Sequence, residues 1–188
     1  SDPAPILIRS AASNLLMEVI VALVAYLVGS IPTGFIIGKL AGIDVRTAGS
    51  GNIGATNVAR VMGKGRGLLT LLADIAKGFV PVFAAQQMAF SHTAVAVIAA
   101  AAFLGHLYPI FLKFRGGKGV ATSLGAIIGM LPIVSAIVFG LWAVIFAVTR
   151  YVSLASIIAA AAFPVTAFFF NVSGPILGFA IVSAILVI

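Results

Sequence analysis

Two stretches of this chain hold most of the residues able to do chemistry. The first reads GSGNIGATN over 49–57. Its glycines at 49, 51 and 54 have the G-x-G-x-x-G spacing of a loop whose backbone N–H groups can close on a phosphate, and Asp74 follows 20 residues after the last of them. A dinucleotide fold would set such a loop between a strand and a helix. Ser50, Asn52, Thr56 and Asn57 add small polar groups, along with Gly51 between them. From about Gly54 the run GATNVARVMG predicts a short helix, whose N-terminus favours an anion. Arg60 then lies one turn beyond Thr56 and Asn57, and a guanidinium suits phosphate because its fork donates two parallel hydrogen bonds. A flexible glycine linker is the bland alternative. It has little use for four small polar side chains and an arginine in so short a span.

The second stretch is FLKFRGGKGVAT, over 111–122. A nucleotide-binding P-loop would need glycine where Leu112 stands and a hydroxyl where Gly119 stands, so this is not one. Gly116, Gly117 and Gly119 nevertheless free the backbone around Lys118, ahead of a predicted helix. A positively charged anchor loop would account for Lys113 and Arg115, but not for three glycines. A third stretch, TRYVSLAS, carries Ser153 and Ser156, which share a helix face at i, i+3. They bind a ligand or make hydrogen bonds within the bundle, as membrane serines commonly do. Arg150 beside Tyr151 fits an interfacial anchor.

Three further ionisable groups lie within apolar sequence. Asp74 and Lys77 are spaced to pair on one helix face, either as a self-neutralising structural pair or as a supporting wall of an anion site. His106, in GHLYPIF, is a base or a packed histidine. His92 falls in an exposed turn. The loops together imply a ligand with a phosphate head, and the apolar sequence behind them suits an acyl tail.

These loops need a scaffold, and composition says which. The chain has 188 residues, of which 62% are hydrophobic and 8% charged, against about 25% charged in soluble domains. Apolar runs of about 20 residues without strand alternation make it an all-α integral membrane protein. There is no cysteine, which excludes disulfides, thiolate metal sites and thiol nucleophiles. Two histidines and four acids leave no metal cluster expected. A net charge of +7, concentrated in loops beside apolar runs, points to anionic headgroups or substrates and not to nucleic acid.

Predicted membrane segments are 15–38, 67–87, 93–112, 120–131, 133–149, 151–170 and 175–188: a compact bundle of about seven, some short or broken. Segment 120–131 is too short to cross a core of about 30 Å upright, and Pro132 ends it. Loop 39–66 holds Lys39, Arg46, Arg60, Lys64 and Arg66. Loop 113–119 holds Lys113, Arg115 and Lys118, and Arg150 opens the next. If 120–131 and 133–149 are separate crossings, these all fall on one side. The positive-inside rule makes that side, with its glycine loops, cytoplasmic and the N-terminus external. Residues 1–16 match the rest poorly, and Met17 reads as a natural start. We expect 1–16 to be an N-terminal extension or expression scar and 17–188 to be one membrane domain.

The runs GSIPTGFIIGK, GSGNIGATNVAR, DIAKGF, GHLYPIFLKFRGGKGVAT and RYVSLAS occur in this order. Together they resemble the acyl-phosphate-dependent glycerol-3-phosphate acyltransferases of bacterial membranes, over roughly 20–188. The resemblance implies transfer of a fatty acyl group from acyl phosphate to the 1-hydroxyl of sn-glycerol 3-phosphate. The products are lysophosphatidic acid and phosphate, in the first step of bacterial phospholipid synthesis. It also implies a seven-helix protein of the inner membrane that needs no cofactor. A soluble acyl-phosphate-forming enzyme would hand over the donor, and a second acyltransferase would take the product. Ser50 and Arg60 match residues that matter for activity in the family. Gly116, Gly117 and Lys118 match its glycerol phosphate motif, and Ser153 and Ser156 match its third motif. In the family that motif continues into a cytoplasmic tail with His, Asn, Arg and Glu. This chain stops at Ile188, so the site is expected to be incomplete here.

Other glycerol phosphate acyltransferases use an H-x-x-x-x-D pair, in which histidine deprotonates the hydroxyl. Here the fifth residues after His92 and His106 are Val97 and Phe111. No serine is flanked by an evident base, so an acyl-enzyme is not expected. Acyl phosphate is already activated. The enzyme has mainly to bring two anions together and stabilise the departing phosphate, a task for Ser50, Arg60 and Lys118. A small membrane transporter for organic phosphates is the rival reading, on the strength of Asp74 and the broken segments. The clustering of polar motifs at one face and the lack of an internal repeat argue against it.

Overall fold

In a computed structural model the chain is described from residue 4 to 188, with side chains described from residue 12 onward. Helix α1 (Ala4–Gly29) runs unbroken through the expected boundary at Met17, and the first three residues of the expected extension lie outside the described range. The remaining helices are α2 (Thr33–Leu40), α3 (Ala55–Met62), α4 (Lys64–Gln87), α5 (His92–Leu107), α6 (Val120–Met130), α7 (Pro132–Thr149), α8 (Val152–Phe169) and α9 (Gly174–Val187), with a 3-10 turn at Ile110–Leu112. Five stretches are long and apolar enough to cross a membrane: Ala12–Leu40, Lys64–Gln87, His92–Leu112, Pro132–Thr149 and Val152–Phe169. Helices α6 and α9 are shorter apolar helices.

The span expected over 15–38 lies within the single apolar stretch Ala12–Leu40, whose helix is interrupted between α1 and α2. Pro32 has no N–H to donate, and the chain leaves the helix at Ser30 before restarting at Thr33. The expected short helix after Gly54 forms as α3, and the chain restarts immediately as α4, three residues before the predicted segment. Pro132 ends α6 as expected and becomes the first residue of α7.

Helix α5 is central, packing on α1, α4, α6 and α9. Its Phe103 sits edge-on to Phe179 of α9, which meets Phe163 of α8 in the same way. Small residues set the closest crossings. Gly29 of α1 abuts the Ala102 backbone, and Gly105 of α5 abuts that of Tyr26. Gly78 of α4 lies on the Thr122 backbone and Gly125 of α6 on that of Ile75. Lipid supplies no hydrophobic drive between helices, so such close backbone packing is a main source of their association.

The same contacts explain why α6 is short. Thr122, in its first turn, lies against Gly78, roughly half way along α4. Gly125 faces Ile75 and Phe79, and Gly129, one turn on, faces Phe79 and Val82, so α6 and α4 advance in the same sense. Helix α6 therefore covers only the second half of the path that α4 travels. The preceding loop, 113–119, packs on the end of α5.

Candidate active site

Irregular backbone at membrane depth must be buried in protein or line a cavity. Two interruptions of helix, 30–32 and 113–119, meet around one buried polar cluster. Asp74 and Lys77 pair across one turn of α4 with Nζ–Oδ1 at 2.9 Å, 3% and 5% exposed. Lys77 Nζ also donates to the carbonyl of Ile31, in the break, at 2.9 Å. The Thr33 hydroxyl, on the first residue of α2, donates to Asp74 Oδ1. The His106 ring, 4% exposed near the end of α5, brings Nδ1 to 3.7 Å from that oxygen. This separation is too long for a hydrogen bond, and His106 Nδ1 is buried without a hydrogen-bond partner. Thus Asp74, Lys77 and His106, three supporting residues singled out from sequence, occupy one cluster.

Loop two is built on this cluster. The N–H groups of Gly116 and Gly117 donate to the carbonyls of Leu107 and His106, at 3.0 and 3.1 Å. A Cβ on Gly117 would overlap His106 Nε2. Gly117 is thus required by the histidine ring, a reason that spacing alone could not supply. Lys113 and Phe114 both turn left-handed (φ 52° and 61°) to bring the chain back, and Lys118 projects exposed beside Gly119.

Loop one is organised by Asn57, which is 2% exposed. Its Oδ1 accepts from Ser50 N at 2.8 Å, and its Nδ2 donates to the carbonyls of Val45, Ala48 and Asn52 at 3.1, 3.1 and 2.8 Å. Its side-chain amide is therefore committed to shaping the loop. Asn52 Oδ1 accepts from Gly54 N at 2.7 Å, and Gly51 N donates to Ala48 O at 3.1 Å. Gly49 takes a left-handed φ of 61°, and a Cβ there would strike the Asn57 amide. Ser50, Thr56 and Arg60 remain exposed on the outer surface of this unit.

The cations divide into committed and uncommitted groups. Arg46 grips Asp44 through Nε (2.9 Å) and Nη2 (2.6 Å) and lies over the Phe35 ring at 4.4 Å. The hydrogen bonds from Arg46 lower the Asp44 pKa to about 2. Among the described residues, Arg60 and Lys118 have no ion-pair partner.

A small apolar core joins the two loops. Val45 and Ile53 of loop one, Val58 of α3 and Leu112 before loop two pack together, with Phe35 and Met62 against them. The third stretch stands apart. Its helix, α8, packs mainly on α7 and α9. Ser156 is buried and its Oγ accepts from Trp142 Nε1 of α7 at 3.2 Å, the interhelical bond weighed above, while Ser153 is exposed. Thr33 and Leu112 were missed from sequence. Each sits in an apolar run, and nothing in its spacing marks a partner 41 residues away or a core shared by two loops.

The family profile for glycerol-3-phosphate acyltransferase matches residues 19–188. The chain belongs to that family. A glycerol-3-phosphate acyltransferase of Geobacter sulfurreducens is 53% identical over 150 residues, covering 80% of this chain and 77% of the relative. One from Geotalea daltonii is 45% identical over 171 residues, covering 91% and 88%. Two crystal structures of PlsY (YgiH), an integral membrane glycerol 3-phosphate acyltransferase, share this fold at 41% identity, covering 91% of this chain and 86% of theirs. The glycerol 3-phosphate form superposes with a TM-score of 0.88 and the lysophosphatidic acid form with 0.85. The protein is therefore a multi-pass, all-α membrane protein of an acyltransferase family.

Proposed function

We propose that this protein transfers a fatty acyl group from acyl phosphate to the 1-hydroxyl of sn-glycerol 3-phosphate in the bacterial inner membrane, releasing lysophosphatidic acid and phosphate. The observation that carries the reading is the match to the glycerol 3-phosphate form of PlsY over 91% of the chain. In this reading Arg60 and Lys118, two of the cations of the joined loops that have no ion-pair partner among the described residues, hold the two phosphates. Ser50, Gly51, Asn52 and Thr56 line the first site, while Gly116 and Gly117 shape the second. Asn57 acts by fixing loop one, while Ser153 and Ser156, on a helix that packs on α7 and α9, take no part in this reading.

The 1-hydroxyl oxygen attacks the acyl carbonyl, forming the new C–O bond. The bond from the carbonyl carbon to the phosphate oxygen breaks, and the hydroxyl proton leaves with the departing phosphate. Arg60 and Lys118 would stabilise the charge that develops there. Holding both reactants in contact supplies most of the remaining acceleration, because the donor is already activated.

We place the glycine loops on the cytoplasmic side and the N-terminus outside. The basic loops and the common sense of α4 and α6, which lets α7 return Arg150 to the loop side, support this. Single cysteines at the exposed positions 118 and 153 should label from the cytoplasmic side of sealed vesicles and one at 171 from the outer side. Outer-side labelling of 118 would reverse the orientation. The donor is tested with purified protein in EDTA. Lysophosphatidic acid should form at full rate from acyl phosphate, and turnover only with acyl-CoA and Mg²⁺ would refute the assignment.

A further inference from the structure

We propose that Asp74 is a positioning residue that holds the two glycine loops in register with each other. The inference rests on the reading of those loops as the two phosphate sites, and extends it to how they are aligned. Two branches leave one carboxylate oxygen. Along the first, Asp74 Oδ1 accepts the Thr33 hydroxyl and so fixes the base of α2. Helix α2 carries loop one as a unit: Gly34 lies on the Ile53 backbone and Val58, and Gly38 on Ile43 and Val45. Along the second, the same oxygen faces His106 Nδ1 at 3.7 Å. The far edge of that ring abuts Gly117, whose N–H donates to the His106 carbonyl, and Lys118 follows directly. Lys77 offsets the Asp74 charge and ties down the carbonyl of Ile31, closing the cluster on the helix break.

Charged groups in a membrane interior are retained at a cost. A self-neutralising Asp–Lys pair on one turn would need neither Thr33 nor His106. Here the pair reaches both interruptions of helix: the break at 30–32 leads through α2 into loop one, and 113–119 is loop two itself. Acyl transfer requires the carbonyl and the attacking hydroxyl to meet, and a misplacement of about 1 Å can cost about a hundredfold in rate. Loss of register therefore has its own signature. Each loop keeps its own phosphate-binding groups, so both KM values hold while kcat falls.

The cysteine-free chain permits a direct test. Thr47→Cys and Arg115→Cys, at exposed positions on loops one and two, are spin-labelled in the full-length protein and the distance between them is measured by pulsed dipolar spectroscopy. The register variants are Thr33→Val, which keeps the ion pair, and Asp74→Asn/Lys77→Met, which removes it without stranding a charge. If the double variant does not fold, Thr33→Val alone decides. The label-to-label distance should shift or broaden, and in the unlabelled variants kcat should fall about tenfold or more, with both KM values within about threefold. Thr33→Ser, which restores the hydroxyl, should restore both measures. A merely structural role lowers the melting temperature and leaves both the distance and the kcat per folded molecule unchanged. An unchanged distance in a folded Thr33→Val protein overturns the proposal. A distance that moves while Arg60→Lys turns over normally upholds the coupling and removes only the phosphate-loop reading.

Discussion

Gly117→Ala offers a sharp test of how loop two is built. The added methyl falls on the Nε2 edge of His106, and the loop cannot slide away freely because Gly116 and Gly117 are bonded to the Leu107 and His106 carbonyls at 3.0 and 3.1 Å. Either the ring rotates away from Asp74 or the backbone beside Lys118 lifts. Overpacking of this kind costs about 1–3 kcal/mol. For a chain of this size that corresponds to roughly 2–12 °C in melting temperature. A backbone shift of about 1 Å would add about a hundredfold loss in kcat. The assay is a double-mutant cycle with His106→Ala, read by thermal unfolding in detergent and by steady-state kinetics. His106→Ala vacates the space that the methyl needs, so the stability cost of Gly117→Ala should shrink by about 1 kcal/mol or more in its presence. Additive costs would show that the clash is not with His106. Near-normal stability and kinetics for Gly117→Ala alone would refute the close packing itself.

Three other perturbations address loop one. Arg60→Lys keeps the charge but loses the forked pair of hydrogen bonds, and turnover should fall by roughly 10²–10³, the usual cost of one preorganised donor; near-normal kinetics would leave loop one without a phosphate role. Asn57→Asp replaces an amide donor by a carboxylate facing the carbonyls of Val45, Ala48 and Asn52, so the loop should open and activity should be lost, with increased proteolysis over 45–54 as the readout. The Asp44–Arg46 pair has a carboxyl lowered to about 2, so its contribution is complete above the ordinary value near 4 and is lost as pH falls toward 2. Asp44→Asn should accordingly leave the shape of the pH–rate profile between pH 5 and 9 unchanged.

The bundle was legible because its cause is local. Long apolar runs, Pro132 and Gly119 set helix ends whatever their neighbours. The break at Ser30–Pro32 was not, because SIPTG sits inside an unbroken apolar run, and a proline there fits the first turn of a new helix as well as a kink. Asp74 and Lys77 were paired from spacing alone, but their outer neighbours, Ile31, Thr33 and His106, come from segments that only the fold brings together. The glycines of loop two were noticed for the freedom they give the backbone. Gly117 proved to be constrained by a histidine ring eleven residues earlier in sequence, visible only once α5 and the loop are packed.

In the proposed reaction two anions are brought together at one membrane face and the acyl group passes directly between them. Phosphate release from acyl phosphate by the purified protein, followed with and without glycerol 3-phosphate, tests this most directly. Release should require the acceptor and match lysophosphatidic acid one for one. Equal release in its absence would mean that the donor is hydrolysed without transfer, and would contradict the account.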